Sequence, residues 1–299
     1  MQMNHSDLGP AAKFDLANHN FKQVYRNRNS KHWKKYKYLP DWIVQKSEYL
    51  LNDDKAYRGN KKVYRRGAFV NVDFGVNVGQ ELSGNHFAII LNKDDSPTND
   101  KLTVVPLTSH DHPHTVELDH TLRESASNEF QQRIVDFMML VSAVNYLRTI
   151  TSADKLAAIK STADYWNSLL SLFEKDSPAY DFVNELSHKS TLTVHSNDSA
   201  IKAVQDLSPK ILAPNVKGGE DPISLEFLSS IIEAMKQYIA AYNTYSRYDK
   251  TTYAKVLDIT TVSKARLRKL NYYDPIGKIR VSDDVLNIID REIKLLFLK

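Results

Sequence analysis

The sequence contains no cysteine, which excludes disulfide bonds, thiolate zinc ligands and a cysteine nucleophile. Nine glycines in 299 residues are too few to suggest a glycine-rich phosphate loop or a repeat protein. Apolar runs reach only five residues, as in Phe137–Val141, whereas a membrane-spanning helix needs about 20. The first 20 residues contain no apolar core of signal-peptide length. We therefore expect a cytoplasmic protein without disulfide bonds and without contact to a membrane.

Positive charge is concentrated in one segment. The whole chain has 40 basic and 36 acidic residues, a net charge of +4, so its total charge says little about its partners. Residues 21–40 contain no acidic residue, and Tyr25, Trp33, Tyr36 and Tyr38 are interleaved among the basic ones. The basic residues of this segment are Lys22, Arg26, Arg28, Lys31, Lys34, Lys35 and Lys37. A solvated arm is the simplest interpretation, and the same composition suits contacts with RNA phosphates and unpaired bases.

The pattern of apolar residues divides the chain into four parts. Residues 1–62 form a basic N-terminal arm and a helix. Residues 63–120 alternate apolar and polar side chains, as strands do, whereas 121–249 have the spacing of amphipathic helices. Strand patterns return in 250–299, followed by a final helix. We therefore predict an α+β fold in which one β-rich domain, 63–120 with 250–299, is split by an all-helical insert.

Four local features give separate expectations. Residues 1–20 show little periodicity and are expected to be weakly ordered, and residues 189–220 are expected to be mostly loop because of their prolines and glycines. Pro106 indicates an edge or a bulge within its strand. Ser282 before two aspartates predicts the N-terminus of the last helix.

The strand-rich segments contain a recognisable order of motifs. An Arg-Gly pair opens the first strand, which ends in an acidic residue, and a G-x-E-x-x-G loop leads into a second apolar strand. These segments read RGAFVNVDF from Arg66 and VGQELSGNHFAIILN from Val78. Two further strands follow at Leu102–Ser109 and His114–Glu117.

This order resembles the MazF/PemK family of toxins from type II toxin–antitoxin systems. The resemblance implies an SH3-like small β-barrel of the MazF/PemK/CcdB type, here split by the helical insert. It also implies a metal-independent endoribonuclease without cofactors that cleaves single-stranded RNA, such as mRNA. The products would carry 2′,3′-cyclic phosphate and 5′-hydroxyl ends, and the partners would be an antitoxin protein and a second copy of the chain. In the family the strand at Leu102–Ser109 ends in a catalytic threonine, which corresponds to Thr108.

One residue departs from the family pattern, since His86 stands where the family usually has an arginine. Cleavage of RNA through its own 2′-hydroxyl needs a base, and histidine titrates near neutral pH. Thr108 and Ser109 close a strand and can donate hydrogen bonds to a phosphate oxygen. Glu81 can orient the histidine or a base. These four residues are the predicted catalytic set.

The anion-binding role of the missing arginine must then come from other residues. Loops 75–85 and 94–101 are placed to read bases. The predicted RNA-binding residues are Arg66, Gly84, Asn85, Lys31, Lys34, Lys35 and Lys37.

Other interpretations stay open. A histidine at a strand start is most often structural, and the H-x-H-x-H pattern of 110–114 is a weak candidate for metal binding. A protein of the same fold can also act without catalysis, by binding a protein target as gyrase poisons do. It can equally be an inactive RNA-binding or regulatory module.

Overall fold

A computed structural model describes residues 8–53, 62–118, 121–151, 167, 170–173, 175, 177–188, 196–212, 224–246 and 251–298. By their contacts the residues form two compact units. The first unit contains 1–118, 252–268 and 281–299, and the second contains 119–251 and 269–280. Each unit is therefore built from segments that lie far apart in sequence.

The first unit combines helices with a seven-stranded antiparallel sheet. Its helices are α1 (Pro10–Arg26), α2 (Trp33–Tyr36), α3 (Leu39–Leu51) and α8 (Asp283–Phe297). Its strands are β1 (Phe69–Asp73), β2 (Asn85–Ile90), β3 (Lys101–Thr108), β4 (Thr115–Leu118), β5 (Thr252–Lys255), β6 (Thr260–Ser263) and β7 (Leu267–Arg268). Short 3₁₀ turns at Val256–Asp258 and Lys264–Arg266 connect the last three strands.

The strands follow the order β4-β5-β3-β2-β1-β7, and β6 also pairs with β3. Among the described residues this path of pairings ends at β4 and β7 and is not closed into a ring. The α+β class is thus confirmed, with an antiparallel sheet. The SH3-like barrel stays a prediction.

The paired strands β4 and β5 flank residues 119–251, the larger part of the second unit. Leu118 is the last residue of β4 and pairs with Thr252, the first residue of β5. Directly paired residues of antiparallel strands lie about 4.5–5.5 Å apart. The chain therefore leaves the sheet and returns to it at neighbouring points, which is how a long insertion fits between two strands without disturbing them.

Pro106 lies where β3 changes partner. On one side β3 pairs with β2, with Pro106 opposite Ala88. On the other side it pairs with β6 up to Val104 and with β5 from Leu107. A proline, which has no N–H to donate, fits at such a break in the ladder. The expected edge position is wrong, because β3 lies inside the sheet with partners on both sides.

A buried ion pair joins the loop before β3 to the C-terminal segment. Lys264 and Asp95 are 2.8 Å apart, with side chains 2% and 0% exposed. The Lys264 ammonium also donates to the carbonyls of Lys62 and Ser96. Burial by itself would raise the pKa of Asp95, but hydrogen bonds from Lys264, the Tyr64 N–H and Asn99 outweigh burial and lower it.

The N-terminal segment is more ordered than its sequence suggests. The expectation of weak order in residues 1–20 is wrong from Pro10 onward, because α1 begins there with a proline in its first turn. Helix α1 buries none of its side chains, and the Tyr25 ring packs against Trp33 instead. At the other end of the unit the predicted cap is confirmed, since the Ser282 hydroxyl accepts from the Val285 N–H at 3.2 Å.

The second unit is helical. Its described helices are α4 (Thr121–Thr151), α5 (Pro178–His188), α6 (Asn197–Ile211) and α7 (Leu225–Ser246). One buried apolar cluster joins all four, with Phe137, Val183, Val204 and Ile231 among its members. Residues 152–166, part of the segment whose spacing predicts helices, lie outside the described residues.

Helix α6 corrects the loop expected at 189–220. Ser196 and Ser199 form a reciprocal capping box at its start, and Val204 and Ile211 are buried on one face. Pro209 lies in the last turn, where the missing N–H and the ring disturb few further helical bonds. Prolines therefore mark the end of this helix and do not exclude it.

The segment Ala126–Thr151 of α4 is long and apolar enough to cross a membrane by length and composition alone. Half of its most apolar window is buried inside the protein. Phe130, Ile134 and Phe137 belong to the buried cluster of the second unit. Helix α4 is thus apolar because it is a core helix of the second unit.

Replacing Lys264 with methionine should destabilise the first unit strongly. The change leaves the Asp95 carboxylate buried without its ammonium, a loss of about 3–5 kcal/mol. Amide hydrogen exchange in β3 and β6 measures the effect, with Lys101→Met on the exposed start of β3 as control. Because the folded-state pKa of Asp95 is lowered, its contribution is present above the ordinary carboxyl pKa and is lost as pH falls through the lower value. Equal protection in both variants would contradict this account.

Candidate functional site

The sheet brings His86 and Thr108 to the same place. Strands β2 and β3 pair antiparallel, and the pairing runs as far as Ala88 opposite Pro106. His86 and Thr108 each lie two residues beyond this pair, at the same end of the two strands. The His86 ring also makes a hydrogen bond with the carbonyl of Leu107, the residue next to Thr108. The imidazole and the hydroxyl predicted to act together are therefore neighbours, both only partly exposed.

Burial and two backbone carbonyls set the state of the His86 ring. Nε2 lies 3.1 Å from the Ser83 carbonyl, and the ring meets Phe74 edge-on at 6.3 Å. Burial lowers the pKa of His86, while the Ser83 and Leu107 carbonyls oppose this shift. The net direction is downward, which favours the neutral ring. One nitrogen of a neutral ring donates a hydrogen bond, and the other has a lone pair that can accept a proton.

The other three predicted catalytic residues differ in their exposure and hydrogen bonds. The Thr108 hydroxyl accepts from the His110 N–H at 3.2 Å, so its own proton can be donated elsewhere. Ser109 follows directly and is exposed. Glu81 lies exposed in the β1–β2 loop. The sequence predicts Glu81 as the partner that orients the histidine, but the Ser83 carbonyl occupies that place at Nε2.

A cavity of about 700 Å³ opens beside the β1–β2 loop, on the other side of β2. Asn85 lines this cavity, and alternation along β2 directs His86 to the opposite face. The loop supplies Gly75, Val76, Ser83, Gly84 and Asn85, the N-terminal helices supply Lys34, Lys35, Tyr38, Asp41, Trp42 and Gln45, and Asp73 and Arg268 complete the wall. The cavity thus combines aromatic, amide and cationic groups around exposed backbone.

A hydrogen-bonded network around Asp73 forms part of the wall of this cavity. The Asp73 carboxylate, only 6% exposed, accepts from Arg268 at 2.7 Å and from the Tyr49 hydroxyl at 3.2 Å. Burial, followed by the charge of Asp73, raises the pKa of Tyr49. Arg268 also donates to Gln45, and its buried Nε has no hydrogen-bond partner within the described part of the chain. This network ties α3, β1 and β7 together.

Helices α2 and α3 contact the backbone of the β1–β2 loop. The Lys35 ammonium donates to the carbonyls of Asn77 and Gly79 at 2.7 and 2.8 Å. Gly75 has φ of +73°, and a Cβ there would lie 2.3 Å from the Trp42 ring. Only glycine fits this contact, so the indole rests directly on the loop backbone.

The predicted RNA-binding residues separate into three groups. Lys34, Lys35, Gly84 and Asn85 line the cavity together. Lys31 and Lys37 belong to the same basic segment and lie outside the lining residues. Arg66 lies beyond the opposite end of β1, where it donates to the Leu91 carbonyl and pairs with Asp290 of α8.

The histidine-rich segment after β3 has a structural role at one position. His114 has φ of 64°, and its Nδ1 lies 2.9 Å from the Glu292 carboxylate of α8. His110 and His112 are exposed. Across the residues that the structure describes, no group of three or more histidine, cysteine or acidic side chains could hold a metal ion.

Sequence reasoning missed two residues that lie beside the His86–Thr108 pair. Strand β5 places Tyr253 opposite Thr108, and Lys255 follows on the same face. The charge of Lys255 lowers the pKa of His86, and the charge of nearby Asp258 raises it. These residues are separated from Thr108 by the whole helical insert, so no local pattern could have pointed to them.

Residues 65–161 match the family model of the PemK-like, MazF-like toxins of type II toxin–antitoxin systems. The match covers about a third of the chain and includes β1 to β4 with the start of the helical unit. The predicted resemblance is thereby confirmed for these residues, and the helices that follow agree with a long helical insertion. Toxins of this family are generally RNA-cleaving endoribonucleases. No curated protein and no solved structure matches the chain.

The ring of His86 should titrate below the ordinary histidine value of about 6.5. NMR of the His86 ring protons against pH measures this. Because the folded-state pKa is lowered, stability from the neutral ring is full above the ordinary value. It declines as pH falls from there to the folded-state value. A His86 pKa above the ordinary histidine value would contradict the described environment.

Proposed function

Since residues 65–161 belong to the PemK-like, MazF-like toxin family, we propose that this chain is an endoribonuclease toxin acting on single-stranded RNA. The observation that supports the proposal is that His86 and Thr108 lie at the same end of the paired strands β2 and β3, with the His86 ring hydrogen-bonded to the carbonyl of Leu107 beside Thr108. A neutral imidazole beside a hydroxyl is the pair of groups that cleavage through the RNA 2′-hydroxyl needs.

The proposed reaction uses the RNA itself as the nucleophile. The lone pair of the His86 ring takes the proton of the 2′-hydroxyl while the 2′-oxygen forms a bond to phosphorus. The P–O5′ bond breaks, and the leaving oxygen takes a proton from water, giving a 2′,3′-cyclic phosphate and a 5′-hydroxyl. Thr108, with Ser109 next to it, donates to a non-bridging oxygen as charge develops there. No metal or cofactor takes part in this sequence of steps.

We propose that the cavity beside the β1–β2 loop holds a base next to the scissile phosphate. Ser83 and Asn85 line the cavity, and Ser83 is also the partner of His86, so the two sites adjoin. Tyr38 offers an aromatic surface and Asn85 an amide for the base edge, while Lys34 supplies charge for a phosphate. Arg66 is paired with Asp290 far from this cavity, which makes it a weaker candidate for RNA contact.

The remaining proposals concern partners and organisation. A type II toxin implies an antitoxin protein, and we propose a cytoplasmic toxin that forms homodimers as the family does. We further propose that 63–120 and 250–299 form one SH3-like domain, with 1–62 as an N-terminal addition and 121–249 as the insert. The pairing of Leu118 with Thr252 supports this division.

Replacing His86 with alanine should abolish cleavage of a mixed-sequence RNA in the presence of a chelator. Losing a positioned proton acceptor lowers the rate by about 10²–10⁴. Gel analysis of labelled RNA measures the rate, circular dichroism checks the fold, and His110→Ala in the exposed loop is the control. Growth arrest on expression should disappear in parallel. Full activity of His86→Ala would remove this residue from the mechanism.

Neutralising Lys34 should weaken RNA binding and flatten its dependence on salt. Each phosphate contact on a single strand contributes about 0.7 to the slope of log K against log salt. Fluorescence anisotropy with His86→Ala as background measures binding without cleavage. Lys46→Gln is the matched control, because Lys46 is exposed on α3 and does not line the cavity. Identical slopes for Lys34→Gln and Lys46→Gln would rule out this part of the RNA path.

A further inference from the structure

The C-terminal strand β5 extends the His86–Thr108 pair across the sheet. Thr108 pairs with Tyr253 and Leu107 with Ala254, and Tyr253 pairs on its other side with Glu117. Directly paired residues share a face, so Thr108, Tyr253 and Glu117 form a row across the sheet, and His86 lies near its Thr108 end. All four side chains are at least partly exposed.

Lys255 stands on the same face, one step along β5 from this row. Side chains two residues apart in a strand point the same way, so Lys255 lies on the side of Tyr253. Its ammonium pairs with Asp258 in the following 3₁₀ turn, and the two side chains are 26% and 28% exposed. An ammonium has three donors, and one ion pair fixes its position without using them all. The charge is thus placed firmly and in reach of solvent.

Two features connect this lysine to His86. The register sets Lys255 diagonally from Thr108 and next to Ala254, whose partner Leu107 accepts a hydrogen bond from the His86 ring. The charges of Lys255 and Asp258 both act on the titration of the His86 ring, in opposite directions. Charges that influence a ring in this way lie close to it.

The chemistry requires a cation at this point. Attack on a phosphodiester adds negative charge to the non-bridging oxygens, and a fixed cation stabilises that charge. A neutral imidazole at position 86 brings none. Two other candidate cations lie elsewhere: Arg66 is beyond the opposite end of β1, where it donates to the Leu91 carbonyl, and Lys35 donates to two carbonyls of the β1–β2 loop.

On the premise of the proposed ribonuclease activity, we infer that Lys255 is the cation that binds the scissile phosphate, with Asp258 as its positioning residue. The lysine lies outside the residues that match the toxin family. The positive charge therefore comes from β5, on the far side of Thr108, while β2 supplies the base. The ligand of this site is a phosphodiester of RNA, bound through its non-bridging oxygens.

Lys255→Met should lower the rate of RNA cleavage by about 10²–10³, the usual effect of losing one stabilising group at a developing charge. Lys255→Arg should retain more activity than Lys255→Met, because it keeps the charge. The control is Lys101→Met, which removes an exposed lysine at the opposite end of β3. Wild-type rates in Lys255→Met, with His86→Ala inactive, would overturn the inference and leave the ribonuclease proposal intact.

The titration of His86 gives a readout that does not depend on cleavage. Lys255→Met should raise the pKa of His86 and Asp258→Asn should lower it, because the two charges act in opposite directions. NMR of the ring protons measures both shifts. Unchanged values in both variants would show that the pair is too far from the ring to share a phosphate with it.

If the wild-type chain cleaves no RNA, binding of inorganic phosphate still tests whether Lys255 binds a phosphate. Titration with phosphate at constant ionic strength should shift the His86 ring signals in the wild type and in Lys101→Met. In Lys255→Met the apparent Kd should rise at least about ten-fold, a loss of about 1.4 kcal/mol. Equal affinities in the three proteins would reject Lys255 as a phosphate ligand, whatever the fate of the ribonuclease proposal.

Discussion

The candidate site depends on the antiparallel pairing of β3 with strands on both of its sides. On one side β3 pairs with β2, which brings His86 near Thr108, and on the other side β5 brings Tyr253 opposite Thr108. Since β5 returns only after the whole helical unit, the loop must be closed before these contacts form, and that costs conformational entropy. The β4–β5 ladder, which starts where the insert ends, offsets this cost at the point of return. Pro106 lies between the part of β3 that pairs with β6 and the part that pairs with β5, where a residue without an N–H is tolerated.

Two buried hydrogen-bonded networks hold loops of the first unit in place. Each network includes a segment that is remote in sequence from the loop. Asp95 and Lys264 fix the loop before β3 against the segment after β6. Asp73 with Arg268 and Tyr49 fixes the end of β1 against β7 and α3. A buried charge stabilises a fold only when its partner is present. Each network therefore requires one particular remote segment to pack against the loop. The N-terminal helices are in this way part of the cavity wall and do not form the free arm that their charge suggests.

Sequence patterns predicted the strands, the last helix with its Ser282 cap, and the family, because those features are encoded by neighbouring residues. Local patterns could not give the register, which brings His86 and Thr108 to the same end of β2 and β3. The same limit hid Lys255, whose place beside Thr108 arises from a pairing across the insert. The prolines of 189–220 predict a loop, but Pro209 lies in the final turn of α6, where a proline is tolerated. The hydrogen bond between His86 and the Ser83 carbonyl could not be predicted, since a backbone group leaves no trace in a side-chain pattern.

The central claim is that the RNA supplies its own nucleophile between an imidazole and a hydroxyl on neighbouring strands. The most direct measurement compares an oligoribonucleotide with the same strand carrying a single 2′-deoxy sugar on the 5′ side of the cleaved bond, both in the presence of a chelator. The account predicts cleavage of the first, with 2′,3′-cyclic phosphate and 5′-hydroxyl ends, and no cleavage of the second at that bond. Cleavage of the deoxy-substituted strand at the same bond, or products with 3′-hydroxyl ends, would contradict it.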